Sequence, residues 1–95
     1  MAQFLVLMTL TEQGLKNIKK STARAASFRK TAATAGVETV AQYWTIGSRD
    51  GAVILRADDE NDVLRAVARL AADGYVRTET MRALDANEFD GVVAD

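Results

Sequence analysis

The chain contains no cysteine, no histidine and no proline. Without cysteine it can form no disulfide and offers no thiolate for catalysis or metal binding. Without histidine it lacks the commonest metal ligand and the only side chain that titrates near neutrality without perturbation. Catalysis would then depend on carboxylates, Lys, Tyr, Ser or Thr, or on an imported group held by oxygen ligands. No nucleotide-binding loop, catalytic triad or paired-carboxylate motif is present, so we expect no cofactor and no metal.

The chain also lacks a long apolar segment. The apolar run Phe4–Leu10 is too short to span a bilayer, and no basic residue precedes it as in a signal peptide. The 95 residues are 48% hydrophobic and 26% charged, which is typical of one globular domain. We therefore expect a cytoplasmic protein that does not bind membranes.

The two halves of the chain carry opposite net charge. Residues 1–50 have seven Lys and Arg against three Asp and Glu, whereas residues 51–95 have five against ten. The acidic half would cancel the long-range attraction between the basic half and a nucleic acid. We therefore expect no nucleic-acid partner and assign the charges to two oppositely charged helix surfaces.

The hydrophobic pattern predicts four strands and two long helices. Strands are predicted at 3–10, 37–46, 52–57 and 75–84, and helices at about 23–35 and from 58 to about 73. Gly47–Gly51 forms the tip of a hairpin between the second and third strands. The order βαββαβ predicts an α+β, ferredoxin-like sandwich, in which a four-stranded antiparallel sheet carries two helices on one face. Residues 1–84 are predicted to form this domain. Residues 85–95 are predicted to form a polar tail, for which a short docking helix is one option.

The first and third predicted strands are apolar on both faces. In residues 3–10 one face carries four apolar side chains and the other carries two, namely Phe4, Val6, Met8 and Leu10 on the first and Leu5 and Leu7 on the second. Strands of this kind lie at the centre of a sheet and are buried on both sides. Since the helices of so small a domain cover only one face, the other face needs the C-terminal tail or a second subunit. This predicts a homodimer or a higher homo-oligomer.

Two aromatic residues, Tyr43 and Trp44, lie on opposite faces of the second predicted strand. Trp44 shares its predicted face with Glu38 and Val40. One aromatic side chain is expected to pack on the helices, and the other to face a partner subunit or a pocket. Core or interface packing is the main prediction, and contact with a small-molecule ligand is the alternative.

Charged residues supply further candidates for binding. Arg49 and Asp50 lie together at the hairpin tip, where turn formation is the main prediction and an interface or ligand contact is the alternative. Arg24 and Arg56 are candidates for a positively charged pocket wall, and Glu79 for a polar group beside it. Such residues more often form solvated surfaces or ion pairs.

The turn after the first strand is a candidate anion site. Thr11, Gly14 and Lys16 would bring backbone N–H groups and a positive charge together at a helix start. Glu12 would repel an anion there, so helix capping by Thr11 is the main prediction. The acidic run at 58–62 lacks the glycine and the terminal Glu of a calcium-binding loop, and is therefore assigned to capping the second long helix.

Four segments of the chain resemble the GYD-domain family, a group of small bacterial and archaeal proteins. They read L-T-E-Q-G-L-K-N-I-K (10–19), R-A-A-S-F-R-K (24–30), Y-W-T-I-G (43–47) and G-Y-V-R-T-E-T-M-R-A (74–83). Two positions depart from the family pattern: Arg49 stands where a tyrosine is usual, and residues 56–59 lack the usual proline. The resemblance covers about residues 4–84. It implies a ferredoxin-like fold that packs into dimers or larger rings, and it implies no established reaction.

Three functions follow as hypotheses. The first is a homo-oligomeric small-molecule binding or scaffolding module without catalysis. The second is a cofactor-independent oxygenase or isomerase of the dimeric α+β barrel type. It requires a pocket of about 300 Å³ or more lined by the aromatic and charged candidates, namely Tyr43, Trp44, Arg24, Arg56 and Glu79. The third, an RNA-binding module, is disfavoured because the third strand carries no aromatic residue.

Overall fold

The computed structural model describes residues 1–95 as an antiparallel sheet with helices packed on one face. The strands are β1 (Ala2–Leu10), β2 (Glu38–Trp44), β3 (Gly51–Ala57) and β4 (Val76–Ala83), and the helices are α1 (Glu12–Lys16), α2 (Ser21–Thr34), α3 (Glu60–Ala72) and α4 (Ala86–Val93). The strand order is β2-β3-β1-β4. This confirms the ferredoxin-like prediction, with the two doubly apolar strands at the centre. None of the helices combines the length and apolarity that a membrane crossing needs.

The core lies between the sheet and the helices. Alternate side chains of the two central strands point towards the helices, and α3 supplies most of the helical contribution. The buried members are Phe4, Val6 and Met8 of β1, Val53, Leu55 and Ala57 of β3, Val63, Ala66 and Val67 of α3, and Ala32 and Val37 at the end of α2. Only one residue of α2 is buried, so this helix contributes less to the core than α3 does.

Capping residues set the start of α3 where the acidic run predicted it. The Asp59 side chain accepts a hydrogen bond from the Asn61 N–H at 2.9 Å. Glu60 and Asp62 lie in the first turn, where negative charge is favoured by the helix dipole. Asp62 also pairs with Arg65 one turn later at 2.9 Å.

A bulge in β2 reverses its alternation. Thr39 is opposite Leu55 of β3 and Ala41 is opposite Ile54, so Val40 is an extra residue on the β2 side. The prediction that Glu38 and Trp44 share a face was therefore wrong. Glu38 points to the face without helices, and Trp44 points to the helix side.

The face of the sheet opposite the helices is uncovered in the single chain. The apolar residues of β1 and β3 that point this way, Leu5, Leu7 and Ile54, are only partly buried. The C-terminal helix α4 does not bury its own apolar side chains against the sheet, because Phe89, Val92 and Val93 all remain more than half exposed. The C-terminal segment therefore does not supply the cover that the sequence requires.

Candidate functional site

The first candidate surface is the face of the sheet without helices, which we call the open sheet face. It has an apolar centre contributed by all four strands, because residues paired across an antiparallel sheet point to the same side. The members are Leu5 and Leu7 of β1, Tyr43 of β2, Ala52 and Ile54 of β3, and Met81 of β4. Tyr43 is the most exposed of the larger members, with 62% of its surface accessible.

Two ion pairs lie on the open sheet face. Arg56 of β3 pairs with Glu38 of β2 at one end. Arg49 of the hairpin tip reaches across β1 to Glu79 of β4, with 2.9 Å between the guanidinium and carboxylate groups. Three of these four charged side chains, Arg49, Arg56 and Glu79, are ones that the sequence suggested for a tip site or a pocket wall. The ion pairs place those charges at the margin of an apolar surface.

The hairpin tip is fastened to the end of β1. The Asp50 carboxylate accepts a hydrogen bond from the Leu10 N–H at 2.7 Å, and the Asp50 N–H donates to the Met8 carbonyl at 2.8 Å. The Thr45 hydroxyl closes the turn by donating to the Arg49 carbonyl at 2.6 Å. The Asp50 side chain thus has a structural role, as predicted for a turn residue. It bonds to the backbone of β1, however, and not to the backbone of the turn.

Replacing Arg49 with tyrosine should leave the fold intact. The Arg49–Glu79 pair is about half exposed on both sides, and exposed pairs contribute about 1 kcal/mol at most. Asp50→Ala should cost more, about 1–3 kcal/mol, because it leaves the partly buried Leu10 N–H without its acceptor. Urea unfolding of both variants tests this difference. Unfolding of Arg49→Tyr in buffer would contradict the assigned turn.

The second candidate surface is a groove between α2 and α3, which we call the interhelical groove. It arises because α2 packs mainly on β2 whereas α3 packs on β3 and β4. Its volume is about 680 Å³. The apolar lining comes from the helices, the sheet and the hairpin, and includes Met8, Ile18, Phe28, Trp44, Ile46 and Leu70. Trp44 is 53% exposed here and Ile46 is fully exposed.

Arg24 lies in the wall of the interhelical groove. Its guanidinium stacks 4.4 Å from the centre of the Tyr75 ring, donates to the Asn17 carbonyl at 2.8 Å and approaches the Ser21 hydroxyl at 3.2 Å. These contacts tie α2 to the preceding turn and to the start of β4. None of its partners is negatively charged, so Arg24 leaves a net positive charge beside the groove.

The turn at the start of α1 shows the predicted cap. The Thr11 hydroxyl accepts from the Gly14 N–H at 3.1 Å and donates to the Gly74 carbonyl at 2.6 Å. Lys16 lies 3.5 Å from Glu12, its exposed neighbour one turn away. Anion binding by this turn stays a prediction.

The sheet divides the predicted site residues between two surfaces. Tyr43, Arg56 and Glu79 lie on the open sheet face, whereas Trp44 and Arg24 line the interhelical groove. Nowhere do three or more acidic side chains group as metal ligands. The arrangement therefore offers two apolar surfaces with charged margins.

Sequence reasoning missed the interhelical groove, because the separation of α2 and α3 depends on how each helix packs on the sheet. A short helix in the C-terminal tail was one option suggested by the sequence, and α4 occupies that position. Its apolar residues Phe89, Val92 and Val93 have the spacing of an amphipathic helix, but they stay exposed in the single chain.

Comparisons with known proteins agree with this architecture. The family model of the GYD domain matches residues 4–93. A curated relative from Thermus thermophilus, named glutamine synthetase and cystathionine beta-lyase binding protein, is 35% identical over 85 residues. The aligned region covers 88% of this chain and 90% of the relative. The chain therefore belongs to the GYD-domain family.

Proposed function

We propose that this chain is a non-catalytic scaffolding module that forms homodimers through the open sheet face and binds a metabolic enzyme. The observation that carries the proposal is the uncovered apolar centre of that face. Leu5, Leu7 and Ile54 come from the two central strands. Apolar side chains that face water do not stabilise the fold, and a contiguous exposed group of them marks an interaction site. A second copy packed on this face would bury these residues in both subunits.

The charged margin of the open sheet face supports a specific contact. The Arg56 and Glu38 side chains of one ion pair are 33% and 52% exposed. Polar groups of a second subunit can therefore hydrogen-bond to this pair at the edge of the apolar centre and fix the orientation of the two sheets.

The relative from Thermus thermophilus supports a protein as the further partner. Its name describes binding to two enzymes, and its similarity to this chain runs through almost the full length of both. The same kind of partner, glutamine synthetase or cystathionine beta-lyase, is therefore proposed for this chain.

The enzymatic alternative gains little from the structure. It required one pocket lined by five candidate residues. Only Trp44 and Arg24 line the interhelical groove, and the other three lie across the sheet. A groove with a mainly apolar lining and only two of the five candidates fits binding better than catalysis.

An Ile54→Asp variant tests the proposed dimer. A carboxylate at the centre of the interface would be buried without a partner, which costs several kcal/mol, so we expect a dimer or larger species for the wild type and a smaller species, without the sheet-face contact, for the variant. Light scattering at micromolar concentration measures this. Leu64→Asp is the matched control, because Leu64 is a half-exposed residue of α3 away from both surfaces. A monomeric wild type would overturn the dimer.

Calorimetry with the two enzymes completes the test. Purified glutamine synthetase and cystathionine beta-lyase of the organism that makes this chain are each titrated with the wild-type protein. Binding of at least one is expected. Failure to bind either would remove the scaffolding role while leaving the dimer measurement standing.

A further inference from the structure

The C-terminal helix α4 is built as a well-defined helix but buries nothing. The Asp85 side chain accepts from the Glu88 N–H at 2.8 Å, and the Glu88 side chain accepts in return from the Asp85 N–H at 3.2 Å. This reciprocal cap fixes the start of the helix. Its apolar stripe is nevertheless exposed, with accessible fractions of 53% for Phe89, 65% for Val92 and 60% for Val93. A helix of eight residues is marginal in water unless that face is packed.

The interhelical groove matches α4 in size and in polarity. An eight-residue helix is about 12 Å long. A volume of about 680 Å³ holds several apolar side chains. The groove exposes Trp44 and Ile46, which are large apolar residues without cover. Two surfaces that each lack an apolar partner are therefore present in every copy of the chain.

Charge is complementary between the two surfaces. Residues 83–95 carry four acidic side chains, Asp85, Glu88, Asp90 and Asp95, and no basic one. Glu88 already pairs with Arg82 at 3.1 Å, which leaves three without an ion-pair partner. The groove is lined by three basic side chains, Lys20, Arg24 and Arg69, and by two acidic ones, Asp50 and Asp73. Of the acidic pair, Asp50 already accepts a hydrogen bond from the β1 backbone. None of the three basic groups has an ion-pair partner within the chain.

The chain cannot fill its own groove with α4. Val76, at the start of β4, lines the groove, whereas α4 follows the far end of the same strand. Ala83 lies seven positions after Val76 in the sequence, which is about 23 Å of extended chain. Leu84 and Asp85 alone connect Ala83 to the helix. The occupant must come from another molecule.

We propose that α4 of one copy inserts its stripe of Phe89, Val92 and Val93 into the interhelical groove of a second copy. The contact joins two different surfaces, so repetition closes a ring or extends a chain of subunits. It is separate from the open sheet face and does not depend on the dimer formed there. Together the two contacts would link dimers into a larger assembly.

The natural absence of cysteine gives a direct test. One protein carries Phe89→Cys and the other carries Ile46→Cys, and the two are mixed with oxidised glutathione. Both are prepared in the Ile54→Asp background, which removes the proposed sheet-face dimer from the measurement. Neither cysteine replaces a core residue, and circular dichroism verifies the fold of each variant.

The expected result is a disulfide-linked heterodimer. Contact raises the effective concentration of the two thiols, so we expect about tenfold more linked product than for a control pair. In the control, Leu64→Cys replaces Ile46→Cys, since Leu64 is also exposed but lies outside the groove. The additional change Val92→Asp should reduce linkage to the control level. Equal linkage for the two pairs would overturn the proposal.

Discussion

A Gly14→Ala variant should lose at least about 2 kcal/mol of unfolding free energy, because overpacking a filled site typically costs about 1–3 kcal/mol or more. Gly14 is buried at the start of α1. A methyl group there would lie 2.1 Å from the carbonyl oxygen of Tyr75 and 3.0 Å from a methyl group of Leu10. The oxygen belongs to the backbone, so no side-chain rotation can relieve the overlap. Urea unfolding monitored by circular dichroism measures the loss.

The clash would also disturb a junction between distant parts of the chain. The same Tyr75 carbonyl accepts a hydrogen bond from the Thr11 N–H at 3.0 Å, and this bond joins the start of α1 to the start of β4. Gly47→Ala is the matched control, since nothing lies within 4 Å of a methyl group at Gly47. Its unfolding midpoint should stay near that of the wild type. Equal midpoints for the two variants would show that α1 moves away from β4 at little cost.

Leu55→Ala should be the most damaging truncation in the core, with a loss of about 4 kcal/mol. Leu55 lies in the central strand β3 and is completely buried. Its removal leaves a cavity between the sheet and the helices, which the surrounding side chains can fill only in part. Domains of this size have about 5–15 kcal/mol of stability in total. The variant should therefore be partly unfolded at about 37 °C, a temperature at which mesophilic domains lie close to their unfolding midpoints.

Thermal unfolding followed by circular dichroism checks this prediction. Leu64→Ala makes the same chemical change at a position that is 47% exposed. Its loss should stay below about 1 kcal/mol, because exposed side chains contribute little burial. A similar loss for the two variants would mean that the core reorganises around the deleted side chain.

The central position of β1 and β3 in the sheet was predictable from their hydrophobic pattern. Residues 3–10 and 52–57 carry apolar side chains on both faces of the strand. This pattern is typical of a strand in the centre of a sheet, which is buried on both faces. The edge positions of β2 and β4 followed from their polar interruptions. These arguments need no knowledge of packing, since they depend only on how apolar and polar residues alternate along each strand.

The β2 bulge could not be predicted in the same way. The extra residue Val40 reverses the faces of all residues before it, which placed Glu38 beside Arg56 and away from Trp44. No glycine marks the position. The shift appears only in how β2 pairs with β3, which the hydrophobic period of β2 does not encode.

The open sheet face was predicted as a surface, but its ion pairs and the interhelical groove escaped prediction for a related reason. Arg49 and Glu79 are 30 residues apart in sequence and meet only because the sheet brings the hairpin tip near β4. The groove depends on where the helices pack, since α2 lies mainly on β2 whereas α3 lies on β3 and β4. The hydrophobic periodicity of strands and helices does not reveal which distant residues meet or how far apart two helices lie.

The pairing of β1 with β3 has a kinetic consequence. Met8 pairs with Gly51 and Gln3 pairs with Ala83, so both ladders of β1 join segments that are far apart along the chain. Loop closure must precede these contacts, which slows folding relative to the local helices. During synthesis, β1 leaves the ribosome long before either neighbour and remains unpaired while it is apolar on both sides. The time between the synthesis of β1 and that of β3 is therefore when this protein is most exposed to aggregation.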